Sequence, residues 1–170
     1  GPVAGTGAAL NFNTGLLSST TTFNVLAKND NPGAISFSGS SSSYVNRALA
    51  LDVTKGFTVE TWINVNSASR SNAIASQGTA NLAGPFDLYT TGTGALNFWL
   101  GNGTTSQQLV STALITNAGT WYHVVFVYNP TAVTLSIYIN GVLNASAPVT
   151  APVGNFAGSQ LLIGKRADGF

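Results

Sequence analysis

The 170-residue sequence has no cysteine, no methionine, one histidine (His123) and one glutamate (Glu60). Without thiols there can be no disulfide, no thiolate nucleophile and no cysteine metal site. Charge is nearly as scarce. Asp, Glu, Lys and Arg make up 6% of the chain, against the ~25% of ordinary domains. The net charge is +1, and of the six basic residues only Lys165 and Arg166 are adjacent. Phosphates need a basic field to bind, so no nucleic acid is expected as a partner. No apolar run approaches the ~20 residues of a bilayer span, so no membrane insertion is expected. No segment keeps a 3.6-residue apolar period over ten residues, which excludes a long helix. The hydrophobic fraction is nonetheless 44%, so the chain is not of the disordered class. Its length suits one domain with a core of its own.

What remains is strand and turn. Ser, Thr, Asn and Gly take the surface places that charges usually hold. The most strongly patterned stretch is Trp121 to Leu143. Strand side chains alternate between faces, so Trp121, His123, Val125 and Val127 share one face, and Tyr122, Val124, Phe126 and Tyr128 the other. Both sets are largely apolar, which predicts a strand covered on both sides. Asn129-Pro130 breaks it, because proline lacks the donor a ladder needs. A second strand is expected over Val133–Ile139, with Leu135, Ile137 and Ile139 inward and Tyr138 outward. Asn140-Gly141 is a strong hairpin signal, since both residues tolerate positive φ. The return strand is Val142–Ala147. Further strands are expected at Ala8–Phe12, Phe23–Leu26, Ala34–Ser38, Tyr44–Arg47, Phe57–Val65, Ala73–Ser76, Phe86–Thr90, Ala95–Leu100, Gln107–Thr112 and Gln160–Gly164, with a turn at Lys28–Gly33. About a dozen short strands separated by turn signals predict an all-β sandwich or barrel.

Four stretches carry a family resemblance. Trp121-Tyr122-His123-Val124 followed by Leu135-Ser136-Ile137-Tyr138-Ile139-Asn140-Gly141 resembles the signature of laminin G-like domains. Phe57-Thr58-Val59-Glu60-Thr61-Trp62-Ile63, Ala34-Ile35-Ser36-Phe37-Ser38-Gly39 and Leu161-Leu162-Ile163-Gly164 resemble other strands of the same family. Ser38 stands where the family usually has Asp. The resemblance covers residues 34 to 170. It implies the concanavalin A-like jelly roll, so the expected fold class is a two-sheet antiparallel β-sandwich with no long helix. Residues 1–7 are expected to be a flexible lead-in or the remnant of an expression tag, and residues 8–170 a single domain. The family continues past Leu161–Gly164 into a closing strand, whereas this sequence stops at Ala167-Asp168-Gly169-Phe170. Three ways to fill that edge are open: further chain, which is favoured, then Ala8–Phe12, and last a strand paired from a neighbouring chain or domain.

The fold hosts lectins, adhesion modules, glycosidases and structural domains, so function must be argued from residues. Glycoside hydrolysis needs two carboxylates facing one another. Glu60 is flanked by Thr58 and Trp62 rather than by partner acids, so no enzyme is expected; the resemblance implies a structural role for Glu60, since the family's F-T-x-E-x-W strand carries it in domains of many functions. One histidine makes neither a multi-histidine zinc site nor, with no serine in a G-x-S-x-G context, a nucleophile system; His123 reads as a core or subsurface residue with a satisfied hydrogen bond. The resemblance implies calcium as the possible cofactor. Calcium collects six to eight oxygens, so its candidate ligands are Asn29, Asp30 and Asn31, with the isolated acids Asp87 and Asp168. Sugar recognition needs exposed aromatic rings beside hydrogen-bonding side chains. By alternation Trp99 and Asn97 face away from Leu96, Phe98 and Leu100, Tyr89 lies on the partner strand of that hairpin, and Tyr138 is outward on its own strand. These four are the candidate ligand-binding residues; the alternative, which is favoured, is that loops partly cover the second sheet face and these rings pack there. The expectation is a non-catalytic extracellular binding or adhesion module, on a cell surface or virion, with a glycan or a surface protein as partner. The alternative is a structural, assembly or decoration domain without a small ligand.

Overall fold

The structure, a computed structural model, describes residues 34–39, 42–47, 51–78, 84–102, 104–155 and 160–167. The chain divides into two compact units, residues 1–38 and 39–170. In the first, residues 34–38 are described and have no regular secondary structure, so the strand expected over Ala34–Ser38 is not formed. Gly39 at φ 76° ends any extended run there. The lead-in at 1–7, the strands expected at Ala8–Phe12 and Phe23–Leu26, and the turn at 28–33 lie outside the described residues.

The second unit is all-β. Its described residues form β1 (Val45–Arg47), β2 (Phe57–Asn64), β3 (Asn72–Gly78), β4 (Phe86–Thr90), β5 (Ala95–Gly101), β6 (Ser106–Leu114), β7 (Trp121–Asn129), β8 (Thr134–Ile139), β9 (Val142–Pro148) and β10 (Gln160–Ile163), with one short 3-10 turn at Val53–Lys55. They make two antiparallel sheets, a six-stranded one in the order β1-β10-β3-β4-β5-β6 and a four-stranded one in the order β2-β7-β8-β9. This is the expected two-sheet sandwich.

The core lies between the sheets and follows from strand alternation. Leu96, Phe98 and Leu100 of β5, Phe86 and Leu88 of β4, Val124 and Phe126 of β7, and Leu135 and Ile137 of β8 are all at most 1% exposed. Aromatic rings bridge the layers. Phe57 of β2 sits 4.9 Å from Phe86, and Phe98 meets Phe126 edge-on at 5.8 Å. Each such side chain removed from water contributes roughly 1.5–3 kcal/mol, so the sheets stay face to face without any covalent link.

Two expectations about the central hairpin change. β7 is covered on one face only: Val124 and Phe126 are buried, whereas His123, Val125 and Val127 are half-buried and Trp121 is 37% exposed. An antiparallel sheet with the core on one side has solvent on the other, which leaves the valines there half-buried. The next strand begins at Thr134 rather than Val133, which stands at φ 53° in the turn. Asn129 imposes that turn, since its Oδ1 accepts from the backbone N–H of Thr131 and of Ala132, both at 3.0 Å. Asn140 and Gly141 have φ of 52° and 80°, as the hairpin signal requires.

The approach to β2 is fixed by side chains acting as backbone. Gln77 of β3 is fully buried, and its amide accepts from the Leu51 N–H at 2.8 Å and donates to the Leu51 carbonyl at 2.9 Å. Asn155 accepts from the Val53 N–H at 2.9 Å and donates to Asp52 at 2.6 Å. Residues 51–55 are therefore held at defined points before β2 begins.

Candidate functional site

The outer face of the four-stranded sheet is set by register. On β2, Val59 points to the core, so Thr58, Glu60 and Trp62 point outward. Trp62 is opposite His123 and Glu60 is opposite Val125, which is opposite Tyr138 on β8. Trp62, His123, Glu60 and Tyr138 therefore share one face. Trp62 is 62% exposed. Its ring centroid is 5.2 Å from that of His123 at an interplanar angle of 44°, so the imidazole supports the indole from the side and leaves much of it open to solvent. His123 Nε2 lies 2.8 Å from Glu60 Oε1. A carboxylate only accepts, so in this pair Glu60 takes its hydrogen bond from the Nε2–H tautomer of His123. The Glu60 side chain is itself 64% exposed. Trp121, 37% exposed, is opposite Asn64 on β2 and so lies diagonally across from Trp62, within reach of a ligand stacked there. Tyr138, half-buried, stands two strands from Glu60 in the same row, about 10 Å away by strand spacing.

The sheet face holding the other three candidate residues is different. Trp99, Asn97, Tyr89 and Asp87 are brought together on the outward side of the six-stranded sheet, where Asp87 is opposite Trp99 and Tyr89 opposite Asn97. Outward does not mean open, however. Asn97 is 1% exposed and Tyr89 9%, while Trp99 is half-buried and donates its indole N–H to the Tyr89 hydroxyl at 2.9 Å. The chain leaving β10 runs across this face: Ser76 Oγ donates to the Lys165 carbonyl at 3.0 Å, and Arg166 bonds Asp87 at 2.8 Å with its guanidinium 4.0 Å over the Tyr89 ring. Alternation set the correct face for these residues but could not show that the post-β10 segment lies over it. Asn97 Oδ1 is buried with no hydrogen-bond partner among the described residues.

For cations, the described residues contain no group of three or more His, Asp or Glu side chains that could share an ion. Asp87 already has a cation, Arg166, at 2.8 Å. Asn29, Asp30, Asn31 and Asp168 lie outside the described residues. Asn102 and Asn144, which begin the Asn-x-Thr and Asn-x-Ser triplets of the sequence, serve the backbone instead. Asn102 Oδ1 accepts from the Thr104 and Thr105 N–H groups, and Asn144 Oδ1 from those of Thr112 and Ala113.

Sequence reasoning passed over Trp62, although the signal was available. Thr58 and Glu60 are polar and share its parity on a strand whose other side includes Phe57 and Val59.

A family model described as the concanavalin A-like lectin/glucanases superfamily matches residues 37–170. No curated protein matches the chain. Among solved structures, domains LG4-5 of the mouse laminin alpha1 chain share the fold at a TM-score of 0.63 and 20% identity, covering 88% of this chain and 40% of that one. The carbohydrate-binding module (CBM40) of the Ruminococcus gnavus IT-sialidase, bound to alpha2,3 sialyllactose, does so at 0.56 and 16%, covering 73% and 82%. A heptameric SAP-like pentraxin from Limulus polyphemus gives 0.53 and 22%, covering 72% of this chain and 57% of the pentraxin. At these identities the likeness is one of fold.

Proposed function

Since this chain belongs to the concanavalin A-like lectin/glucanases superfamily, we propose that it is a non-catalytic, extracellular binding module that recognises glycan, and that the outer face of its four-stranded sheet is the recognition surface. The observation that carries this reading is Trp62, an indole 62% exposed and braced by His123, with the Glu60 carboxylate beside it. Sugar recognition combines an apolar ring for the C–H face of a pyranose with a few fixed polar groups for its hydroxyls, and this face offers both. Glu60 is the only carboxylate on the four strands, so the facing pair of a glycosidase is missing there. The sialyllactose bound to the CBM40 module, which shares this fold, agrees with a saccharide as the class of ligand.

A glycan array probed with calcium and again with chelator tests the reading and the calcium expectation together. Hits are expected for the intact chain. They should be lost in Trp62→Ala, whose melting temperature should be unchanged because the ring is mostly in solvent. A blank array under both conditions would move the assignment to a structural or assembly domain. Exposed Val142 and Leu143 on β9, 68% and 54% in solvent, would then be the first place to look for a protein contact.

A further inference from the structure

The same face restricts the ligand by charge. β2, β7, β8 and β9 carry no lysine or arginine, and one acidic residue, Glu60. Glu60 Oε1 is taken by His123 Nε2 at 2.8 Å, and Oε2 accepts no hydrogen bond from any described residue. A carboxylate held by one partner, on a side chain 64% exposed, is an acceptor open to solvent next to an exposed indole. We infer that this face takes a neutral saccharide, with its C–H face on Trp62 and a hydroxyl donating to Glu60 Oε2, and that it rejects glycans carrying a carboxylate or sulfate at the stacked residue. The inference rests on the glycan reading above and narrows it.

The physical reasons are specific. A sugar hydroxyl donating to an ionised acceptor makes a charge-assisted bond, roughly twice as strong as a neutral one. An anionic substituent placed beside Glu60 meets repulsion instead, and no guanidinium or ammonium on these strands offsets it. Discrimination of this kind comes as much from the unfavourable charge pair as from the favourable contact. His123 acts as a positioning residue, because its Nε2–H fixes the carboxylate rotamer and so the direction of Oε2. The indole contributes little selectivity of its own, since every pyranose has a C–H face. Glu60 is therefore the specificity-determining residue.

The test uses the full chain and titrates pairs of glycans differing by one anionic group, lactose against sialyllactose first, alongside a broad neutral panel. Binding of a neutral glycan is expected, with the acidic partner at least about ten-fold weaker. Trp62→Ala should lower neutral affinity at least about ten-fold, the loss expected for a central aromatic contact. Glu60→Gln preserves shape but removes the charge; it should weaken the neutral ligand by about ten-fold, the value of a hydrogen bond to a charged group, and also narrow the gap between neutral and acidic partners. Melting temperatures of both variants check that each is folded. Tighter binding of the acidic partner, or neutral binding untouched by either substitution, would overturn this inference and leave glycan recognition standing at another surface. Failure to bind any saccharide would overturn both.

Discussion

Gln77 offers the sharpest test of how the sandwich holds the strand that bears Glu60 and Trp62. The residue is fully buried, and its amide makes two bonds to one residue, Leu51, at 2.8 and 2.9 Å. In effect it is a strand partner supplied by a side chain. Gln77→Leu conserves most of the volume, so cavity formation is a minor contribution. What is lost is the pairing of the Leu51 N–H and C=O, two partly buried groups. An unsatisfied buried donor or acceptor costs about 1–3 kcal/mol. With some water reaching residue 51, a total loss of about 3 kcal/mol is expected for the pair. For a chain of this size that corresponds to a fall of about 6–12 °C in melting temperature. Gln77→Glu separates hydrogen bonding from packing. An ionised carboxylate can accept from the Leu51 N–H, but it turns a second acceptor toward the Leu51 carbonyl. Burial and that carbonyl both raise the carboxyl pKa in the folded state, so the variant is most stable below the ordinary Glu value of ~4.3 and loses stability as pH rises through the folded value. Urea unfolding at several pH values reads both variants. A Leu variant within ~0.5 kcal/mol of the parent, the range of an unremarkable surface change, would refute the idea that Gln77 stands in for backbone. So would a Glu variant with no excess pH dependence.

Two further stability predictions concern neighbouring elements. Asp52 has its carboxyl lowered to about 2, first by the Thr54 hydroxyl and then by the Asn155 amide. A carboxyl depressed in the folded state contributes stability above its unfolded value and loses it as pH falls through the folded one, so the parent should weaken between about pH 4 and 2 and Asp52→Asn should lose that part of the acid dependence in fluorescence-monitored unfolding. Gly94 has φ 86°, and a Cβ there would stand 2.6 Å from the Ile115 carbonyl oxygen; Gly94→Ala should cost at least about 2 kcal/mol, and a thermal melt within ~0.5 kcal/mol of the parent would show that the Gly94–Ile115 contact yields.

Much of the architecture was legible because it rests on local chemistry. Asn140-Gly141 dictates its own turn through positive φ at both residues, and alternation gave the core side of β5 and β8 correctly. The failures have a common cause. Alternation reports which face of a strand a residue is on, whereas exposure depends on what other chain crosses that face. Trp99 and Trp62 are both outward by parity. Trp99 lies beside Tyr89 and Arg166, and Trp62 lies in solvent. Nothing within a strand's own sequence separates the two cases. Gln77 was invisible for a related reason: its partner is 26 residues away, and a glutamine on a β-strand carries no mark of whether its amide meets water or backbone. Val133 was expected to open the second strand, but the Asx turn of Asn129 places it in the turn at positive φ.

Function is marked, finally, by what stability does not require. A hydrogen bond between side chains so open to water contributes little net stability, and the Glu60 side chain is 64% exposed, so the Glu60–His123 contact adds little to folding. An indole left 62% in solvent forgoes much of the burial energy that a tryptophan can provide. In a chain with 6% charged residues, an uncharged polar side chain such as Thr112 on β6 or Ser146 on β9 fills an exposed strand position at no such loss. The one glutamate of the sequence and its most exposed tryptophan nevertheless share a face, two residues apart on β2, with the one histidine touching both. Folding energetics explain the layers beneath them and draw little stability from this trio. Recognition of a hydroxylated, ring-bearing ligand accounts for all three residues at once: the indole as platform, the carboxylate as acceptor, and the imidazole as the group that holds each in place.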